Sequence, residues 1–384
     1  MNHTPLKTFL LDTLRRSGPI TFEQFMAICL YHPEYGYYMQ GRERTGVRGD
    51  FFTSSDLHPI FARLIARQAA EMWELLDRPS RFTWVEMGGG RGLFARDFIG
   101  WARATRPDFF AALAYSIIEP APRQRALLED RLAHERQDAR LDVRANLEEL
   151  AALSGCFFSN ELVDAFPVSV VTRSAGHLKE IYAAVEGEDL REKLGPLSDP
   201  AVAAFVARYA NQLEEGHRVE VSRKAIDWIR TVAQKLTRGF VITIDYGNLA
   251  ERLYTPGRPR GTLMSYLGHV AAEDFFAAPG EQDLTAHVNF SALMDAGGEG
   301  GLEVAGFTTQ ERFLMALGEG NELADLYVGG ESEEEKLRAR LKLKRLIFPG
   351  DAEGPGGMGT VFKVLIQHRG MRASKLTGLK YSDR

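Results

Sequence analysis

The chain has 384 residues, of which 45% are hydrophobic and 26% charged, with a formal net charge of −5. That length suits one large or two smaller globular domains, and the acidic balance gives no electrostatic footprint for nucleic acid. Its two cysteines, Cys29 and Cys156, lie far apart and outside any C-x-x-C, so neither a disulfide framework nor a metal site is expected, and both thiols read as buried and free.

No apolar run reaches the ~20 residues that a bilayer-spanning helix needs. The first residues show neither the apolar core nor the cleavage site of a signal peptide, which gives a cytoplasmic expectation. A helix is predicted over 6–16, stopped by Ser17-Gly18-Pro19. Thr21 and Gln24 have the spacing of a capping box, opening a second helix over 22–31 that Pro33 ends. Four tyrosines follow within eight residues, Tyr31, Tyr35, Tyr37 and Tyr38. They read either as a packing loop or as a substrate-facing one.

Residues 41–49 are basic. Asp50, Thr53, Ser54 and Ser55 then precede a helix predicted over 57–76. They either fold over the amino-acid end of a ligand, or Ser55 or Asp56 simply caps the helix.

From Phe82 the pattern becomes strand–helix alternation. The strand 82–86 ends in Glu86, and Gly88, Gly90 and Gly92 follow before a helix over 93–104. Strand, glycine turn and helix is how an α/β sheet presents a nucleotide-sized ligand. Glycine lets the tight turn form and the ligand lie against bare backbone. The next strand, 114–119, also ends in an acid, Glu119, placed to hold ribose hydroxyls. Two carboxylates repel phosphate and suit a sulfonium with an amino group, which points to S-adenosylmethionine rather than NAD. A dinucleotide register survives in Gly90-Arg91-Gly92-Leu93-Phe94-Ala95, but deeper in the helix and with its acid later than the usual ~20 residues.

A helix over 122–133 and short strands at 141–143 and 155–159 come next. Asn160, Glu161 and Asp164 stand just past that last strand end, where open α/β sheets place their chemistry. Residues 168–185 read as a hairpin around Ala175-Gly176, 186–200 as a polar loop, and 201–213 and 222–236 as helices. The sheet resumes at 239–245. A long segment, 248–285, has little periodicity and reads as an active-site loop. It carries Asp283, with His287 just beyond. A helix after Asn289, a strand at 302–307, helices at 308–317 and 332–347, a final strand at 359–367 and a loose basic tail complete the chain. The acids that open helix 332–347 and the bases that close it match the helix dipole. The organisation is a helical cap (1–80), a core first part (81–167), an insertion (168–221), a core second part (222–368) and a tail (369–384).

Several stretches taken in order carry a resemblance. They are Tyr31-His-Pro-Glu-Tyr-Gly-Tyr-Tyr38, Gly49-Asp-Phe-Phe-Thr-Ser54, residues 86–92, Asn160-Glu-Leu-Val-Asp-Ala-Phe-Pro167, Asp245-Tyr-Gly247, residues 279–290 and Thr309-Gln-Glu-Arg-Phe-Leu314. From about Gly18 to Gln367 the chain resembles the MidA-like methyltransferases, a family that includes the mitochondrial complex I assembly arginine methyltransferase. The resemblance implies an α/β, Rossmann-like class I methyltransferase with a seven-stranded sheet, an antiparallel last strand and bound S-adenosylmethionine. It puts Glu86, Gly88, Gly90 and Gly92 at the methionine part and Glu119 at the ribose. Asp50, Thr53, Ser54 and Asn160 complete the expected cofactor set. The implied activity is protein arginine N-methylation, with a protein substrate such as a respiratory-complex subunit. The chain departs from the family pattern at Gly89, at Ser55-Asp56, at Asn289 and at Met264, where an arginine is common. Met264 keeps a small-molecule methyltransferase open as an alternative, and an assembly factor that binds the cofactor without turnover is the third reading.

A guanidinium stays protonated in water, with a pKa of ~12.5–13.8, so an arginine acceptor calls for carboxylates that orient it and share charge as its proton leaves. Glu161 and Asp164 are the first candidates, as partners of a planar fork, and Asp283 and His287 the second. His287 reads equally well as a structural loop histidine. Asn160 is a candidate to position the acceptor nitrogen through its amide oxygen.

Overall fold

Along each central strand alternate side chains face opposite sides, and the apolar sequence runs divide accordingly. Phe82, Trp84, Cys156, Phe158, Phe240, Ile242 and Ile244 point into one core, while Val85, Met87, Phe157 and Val241 point into a second. The first core is closed by helices Ile60–Leu75, Leu93–Thr105, Gln310–Glu319 and Glu333–Ile347, the second by Arg223–Lys235 and Phe290–Glu299. Strands apolar on both faces need a helix layer on each side. The computed structural model describes residues 4–42, 44, 46, 53–138, 140–268, 270–327, 329–350, 357–371 and 375–382. Asp50, and most of the basic 41–49 stretch, lie outside them.

The central sheet runs Glu303–Thr309, Phe362–Arg369, Leu236–Asn248, Leu153–Asn160, Phe82–Met87, Leu113–Ile118 and Arg140–Arg144 from edge to edge. The last five of these are mutually parallel, and Phe362–Arg369 is antiparallel to both its neighbours. An eighth strand of two residues, Val288–Asn289, pairs with the end of Leu236–Asn248 and adds to the seven expected.

A second sheet runs Ile20–Thr21, His177–Glu186, Ser169–Ser174 and Arg218–Val221, with Asp189–Gly195 also paired to His177–Glu186. Ser169–Ser174 and His177–Glu186 form its hairpin, with Ala175 and Gly176 at φ 51° and 77°, the doubly left-handed turn that suits strand twist. Ile20–Thr21, from the N-terminal segment, pairs with the same hairpin. Helices Pro5–Ser17 and Phe22–Tyr31 bury Leu10, Phe25 and Met26 against Val170, Ile181 and Leu284. Thr21 and Gln24 make the predicted reciprocal cap.

Four local expectations change. The helix predicted over 57–76 is a turn, Ser54–Leu57, followed by Ile60–Leu75, because Pro59 holds His58 in an extended conformation. Its cap is neither Ser55 alone nor Asp56 alone: the Thr53 N–H and hydroxyl both donate to Asp56 Oδ2. The polar 186–200 stretch contains an edge strand, Asp189–Gly195, whose charged side chains face solvent, a common way to protect an open sheet edge. Within 248–285 a helical turn, Ala250–Leu253, and three short strands, Met264–Leu267, Val270–Ala272 and Asp283–Thr285, replace an irregular loop. The tail is fastened, with Leu376 and Leu379 buried and the Gly378 N–H on Gln68 Oε1 at 2.9 Å. Two hydrophobes among basic residues hid that contact from a composition reading.

Candidate active site

The strand end at Phe82–Met87 opens into a cavity of about 440 Å³, within the range of roughly 300–1,000 Å³ typical of small-molecule sites. Its wall includes the turn 88–91, Glu86, Glu119, Asn160 and Glu161. Gly88, Gly90 and Gly92 have φ of 82°, 46° and 75°, a region that favours glycine. A Cβ added at Gly90 would meet nothing within 4 Å, whereas one at Gly89 would lie 2.6 Å from Ile117 Cγ2 and 2.8 Å from Leu128 Cδ1. Gly90 therefore presents bare backbone to open space, and Gly89 is packed from behind. The Gln124 amide holds the turn through the Gly90 carbonyl. Phe94 and Phe158, stacked with centroids 4.5 Å apart, give the cavity an aromatic floor.

Two acids lie beside the turn. Glu86 is buried and accepts the Tyr115 hydroxyl at 2.6 Å; burial pushes its carboxyl up to about 8. Glu119 accepts the Ala121 N–H at 3.0 Å, and burial raises it to about 7. Both shifts follow from taking a carboxylate out of water, and both acids gain from a ligand that brings positive charge or hydroxyl donors.

The opposite wall is built around residue 161. Glu161 has φ 53°, a conformation that costs a residue with a long side chain about 1–3 kcal/mol. Its N–H donates to the Ile244 carbonyl. Its Oε1 accepts the Ser54 N–H at 3.1 Å and the Asn160 amide at 2.9 Å. Burial is the largest influence on this carboxyl and raises it to about 8. The Asn160 amide oxygen is buried with no partner among the described residues.

Asp164 and Asp283 stand behind this wall rather than in it. Asp164 is buried with Oδ1 unpartnered, and burial together with the neighbouring Asp245, Asp283 and Glu161 drives its carboxyl strongly upward. Asp283 Oδ1 accepts the Tyr38 hydroxyl at 2.7 Å and the Leu284 N–H at 2.9 Å. Tyr31 donates to the Ala165 carbonyl at 3.0 Å. The tyrosine segment is divided: Tyr37 is fully buried in the packing, while Tyr31 and Tyr38 line the cavity.

Thr53 lines the cavity, but Ser54 is fully buried and turned away from it. His287 is outside the cavity wall and stacks near Tyr246 with centroids 6.3 Å apart. Burial lowers it to about 4, which keeps it neutral at physiological pH. Asn289 caps helix Phe290–Glu299 through the Ala292 N–H.

Asp245 is the residue whose role the sequence reading missed. It is fully buried, its Oδ2 accepts the N–H groups of Leu162, Val163 and Asp164 at 3.2, 2.8 and 3.3 Å, and its Oδ1 accepts that of Tyr246 at 2.8 Å. It clamps the 162–164 turn from the neighbouring strand. The signal was present, since an acid ending an apolar strand is the same pattern that singled out Glu86. Arg91 was missed as well; it lines the cavity and pairs with Asp56 at 3.1 Å.

Among the described residues no helix is long and apolar enough to cross a membrane. Residues 64–308 match a family model described as "Putative S-adenosyl-L-methionine-dependent methyltransferase". Among curated relatives, mouse "Protein arginine methyltransferase NDUFAF7, mitochondrial" is 26% identical over 339 residues, covering 82% of this chain and 74% of that protein. The Drosophila melanogaster homologue is 26% identical over 408 residues, covering 97% and 87%. A crystal structure from Burkholderia thailandensis, solved with S-adenosyl-homocysteine bound, superposes with a TM-score of 0.86 at 29% identity, over 100% of this chain and 98% of that one. A second crystal structure from the same organism, described as native, gives 0.85 at 29% identity. The family model spans more than half of the chain, and a solved structure that matches over its full length holds S-adenosyl-homocysteine: the chain belongs to this family of S-adenosylmethionine-dependent methyltransferases.

Proposed function

We propose that the protein is a protein arginine N-methyltransferase, and that Glu161 is the carboxylate that meets the acceptor guanidinium. The observation that carries this reading is the strained placement of Glu161 at the cavity wall, with both donors on Oε1 and, among the described residues, none on Oε2 to compete with an incoming N–H fork. The names of the relatives, protein arginine methyltransferases, support the same acceptor class.

In this reading Glu86, Gly88, Gly90, Gly92, Glu119, Thr53 and Asn160 hold the cofactor, and Ser54 acts only through its N–H to Glu161. S-adenosylmethionine supplies an electrophilic methyl: the new N–C bond forms as the S–C bond breaks, giving S-adenosyl-homocysteine, a methylguanidinium and one proton. Glu161 orients the acceptor nitrogen and receives that proton. Its raised pKa brings it nearer to the task than an ordinary glutamate. The acids behind it, Asp164 and Asp283, stand outside the cavity wall, and the crowding that drives Asp164 upward disfavours its charged form, which leaves Glu161 as the carboxylate that faces the acceptor. His287, neutral and outside the wall, positions the loop rather than the acceptor. The aromatic floor and the burial exclude water and align the reacting atoms.

The acceptor is then an arginine of a protein, and the family resemblance favours a respiratory-complex subunit. We retain the cytoplasm as the working compartment, while noting that the relatives are named as mitochondrial. Methyl-labelled cofactor incubated with cell extract and purified protein tests the reading. The label is expected in the protein fraction and, after acid hydrolysis, in methylarginine. Label in the small-molecule fraction would instead favour a metabolite acceptor, and no transfer at all a cofactor-binding assembly factor.

A further inference from the structure

Glu161 does not hold its own position. Its carboxylate leans on the N–H of Ser54, 107 residues earlier in the chain, at 3.1 Å. Ser54 belongs to a four-residue turn, Ser54–Leu57, too short to be rigid by itself. Two anchors fix that turn. On the cofactor side Arg91 pairs with Asp56 at 3.1 Å. On the other side the Ser54 hydroxyl donates to Gln310 Oε1 at 3.3 Å. Gln310 is fully buried and opens helix Gln310–Glu319, and its Nε2 donates to the Leu346 carbonyl at 3.1 Å. That second bond fixes which way the amide points, since only the oxygen can accept from Ser54.

We propose that Gln310 is a positioning residue for methyl transfer: through Ser54 it sets where the Glu161 carboxylate stands. The inference rests on the reading of Glu161 as the acceptor's partner. It assigns a task to a glutamine well outside the cavity wall, whose side chain reaches the site only through another residue. Because Arg91 and Asp56 hold the turn independently, loss of Gln310 loosens the acceptor side and leaves the cofactor side in place.

The test uses the full chain with its glutamate side-chain carboxyls labelled with carbon-13, and Glu161 identified by its absence in E161Q. Gln310→Met removes both amide bonds at similar volume. Ser54→Ala removes only the hydroxyl link and leaves the Leu346 carbonyl satisfied, so it carries the test if Gln310→Met fails to fold. The Ser54 N–H favours the charged form of Glu161, so a loosened turn raises the Glu161 titration by roughly half a unit to one unit in either variant. The double variant moves no further than the larger single one, because both act on one link. Affinity for S-adenosyl-homocysteine, measured by calorimetry, stays within about twofold of the wild type, a change of under ~0.5 kcal/mol. Wild-type titration of Glu161 in a folded Ser54→Ala protein, or full additivity of the two changes, overturns the proposal. An E161Q protein at full methyl-transfer rate would remove the parent reading and this proposal with it, whereas unchanged titration beside an inactive E161Q removes the role of Gln310 alone.

Discussion

The turn at 88–92 and the segment at 160–167 follow two neighbouring parallel strands, with Glu86 opposite Phe158 and Met87 opposite Ser159 in register, yet they are built in opposite ways. The first is shaped mainly from within, by three left-handed glycines and local bonds such as the Gly92 N–H to the Gly89 carbonyl at 2.8 Å, with the Gln124 amide and the Gly88 N–H bond to Ile118 as its outside supports. The second takes its donors and acceptors from afar, from Ser54 in the N-terminal segment and from Asp245 on the adjoining strand. A ligand that lies against backbone needs only small residues and a tight turn. A carboxylate kept partly out of water needs fixed N–H donors around it, and one short segment cannot supply them all.

The sharpest way to break this comparison is at two adjacent glycines. Gly90→Val places a branched side chain in the open space of the cavity, and calorimetry should show S-adenosyl-homocysteine affinity down by about 100-fold or more, near 2.7 kcal/mol, in a protein that still folds by circular dichroism. Gly89→Ala drives a methyl into Ile117 and Leu128 and should instead cost about 1–3 kcal/mol of stability while a folded fraction keeps its affinity. Equal affinity loss in both would show that the turn acts only as a structural unit. Asp245→Asn comes next. It turns one acceptor of the clamp into a donor facing backbone N–H groups, so turnover should fall roughly ten- to a hundredfold as Glu161 shifts, with cofactor affinity little changed. If cofactor affinity fell as far as turnover, the two walls would not be separable.

A last handle on the first wall is a pH dependence of stability. Folded Glu86 titrates near 8 against an ordinary value of 4.5, so between those values the folded protein holds a proton that the unfolded chain has lost. Stability from this group is therefore greatest at low pH and falls as pH rises through that window. Glu86→Gln removes the contribution, and the drop in Tm between pH 5 and pH 8 should shrink. A drop as steep as in the wild type would assign the dependence to other groups.

The contrast also explains what could be read from the sequence. The glycine turn, its flanking acids, the alternation of strands and helices and the capping box at Thr21 are local patterns, and each was legible. Glu161 could be placed by its position after a strand. What held it could not, because Ser54, Gln310 and Asp245 come together only through tertiary pairing. Asp164 looked equivalent to Glu161 as an acid just past a strand end, and Asp283, a second candidate, was read in the long loop; the fold sets both behind the cavity wall. Ser54 was expected against the cofactor and turns away from it instead. The edge strand Asp189–Gly195 was hidden because its burial pattern leaves only Leu190 inside, so its polar face read as loop.

The most direct test of the account compares wild type with Glu161→Gln on one preparation, for methyl transfer into protein and for S-adenosyl-homocysteine affinity. The substitution keeps the shape and the Ser54 and Asn160 contacts of the side-chain oxygen but removes the charge. The account predicts methylarginine formation reduced by about 100-fold or more, near 2.7 kcal/mol of transition-state stabilisation, with affinity for the demethylated cofactor nearly unchanged. Wild-type turnover in a stable Glu161→Gln protein would contradict it.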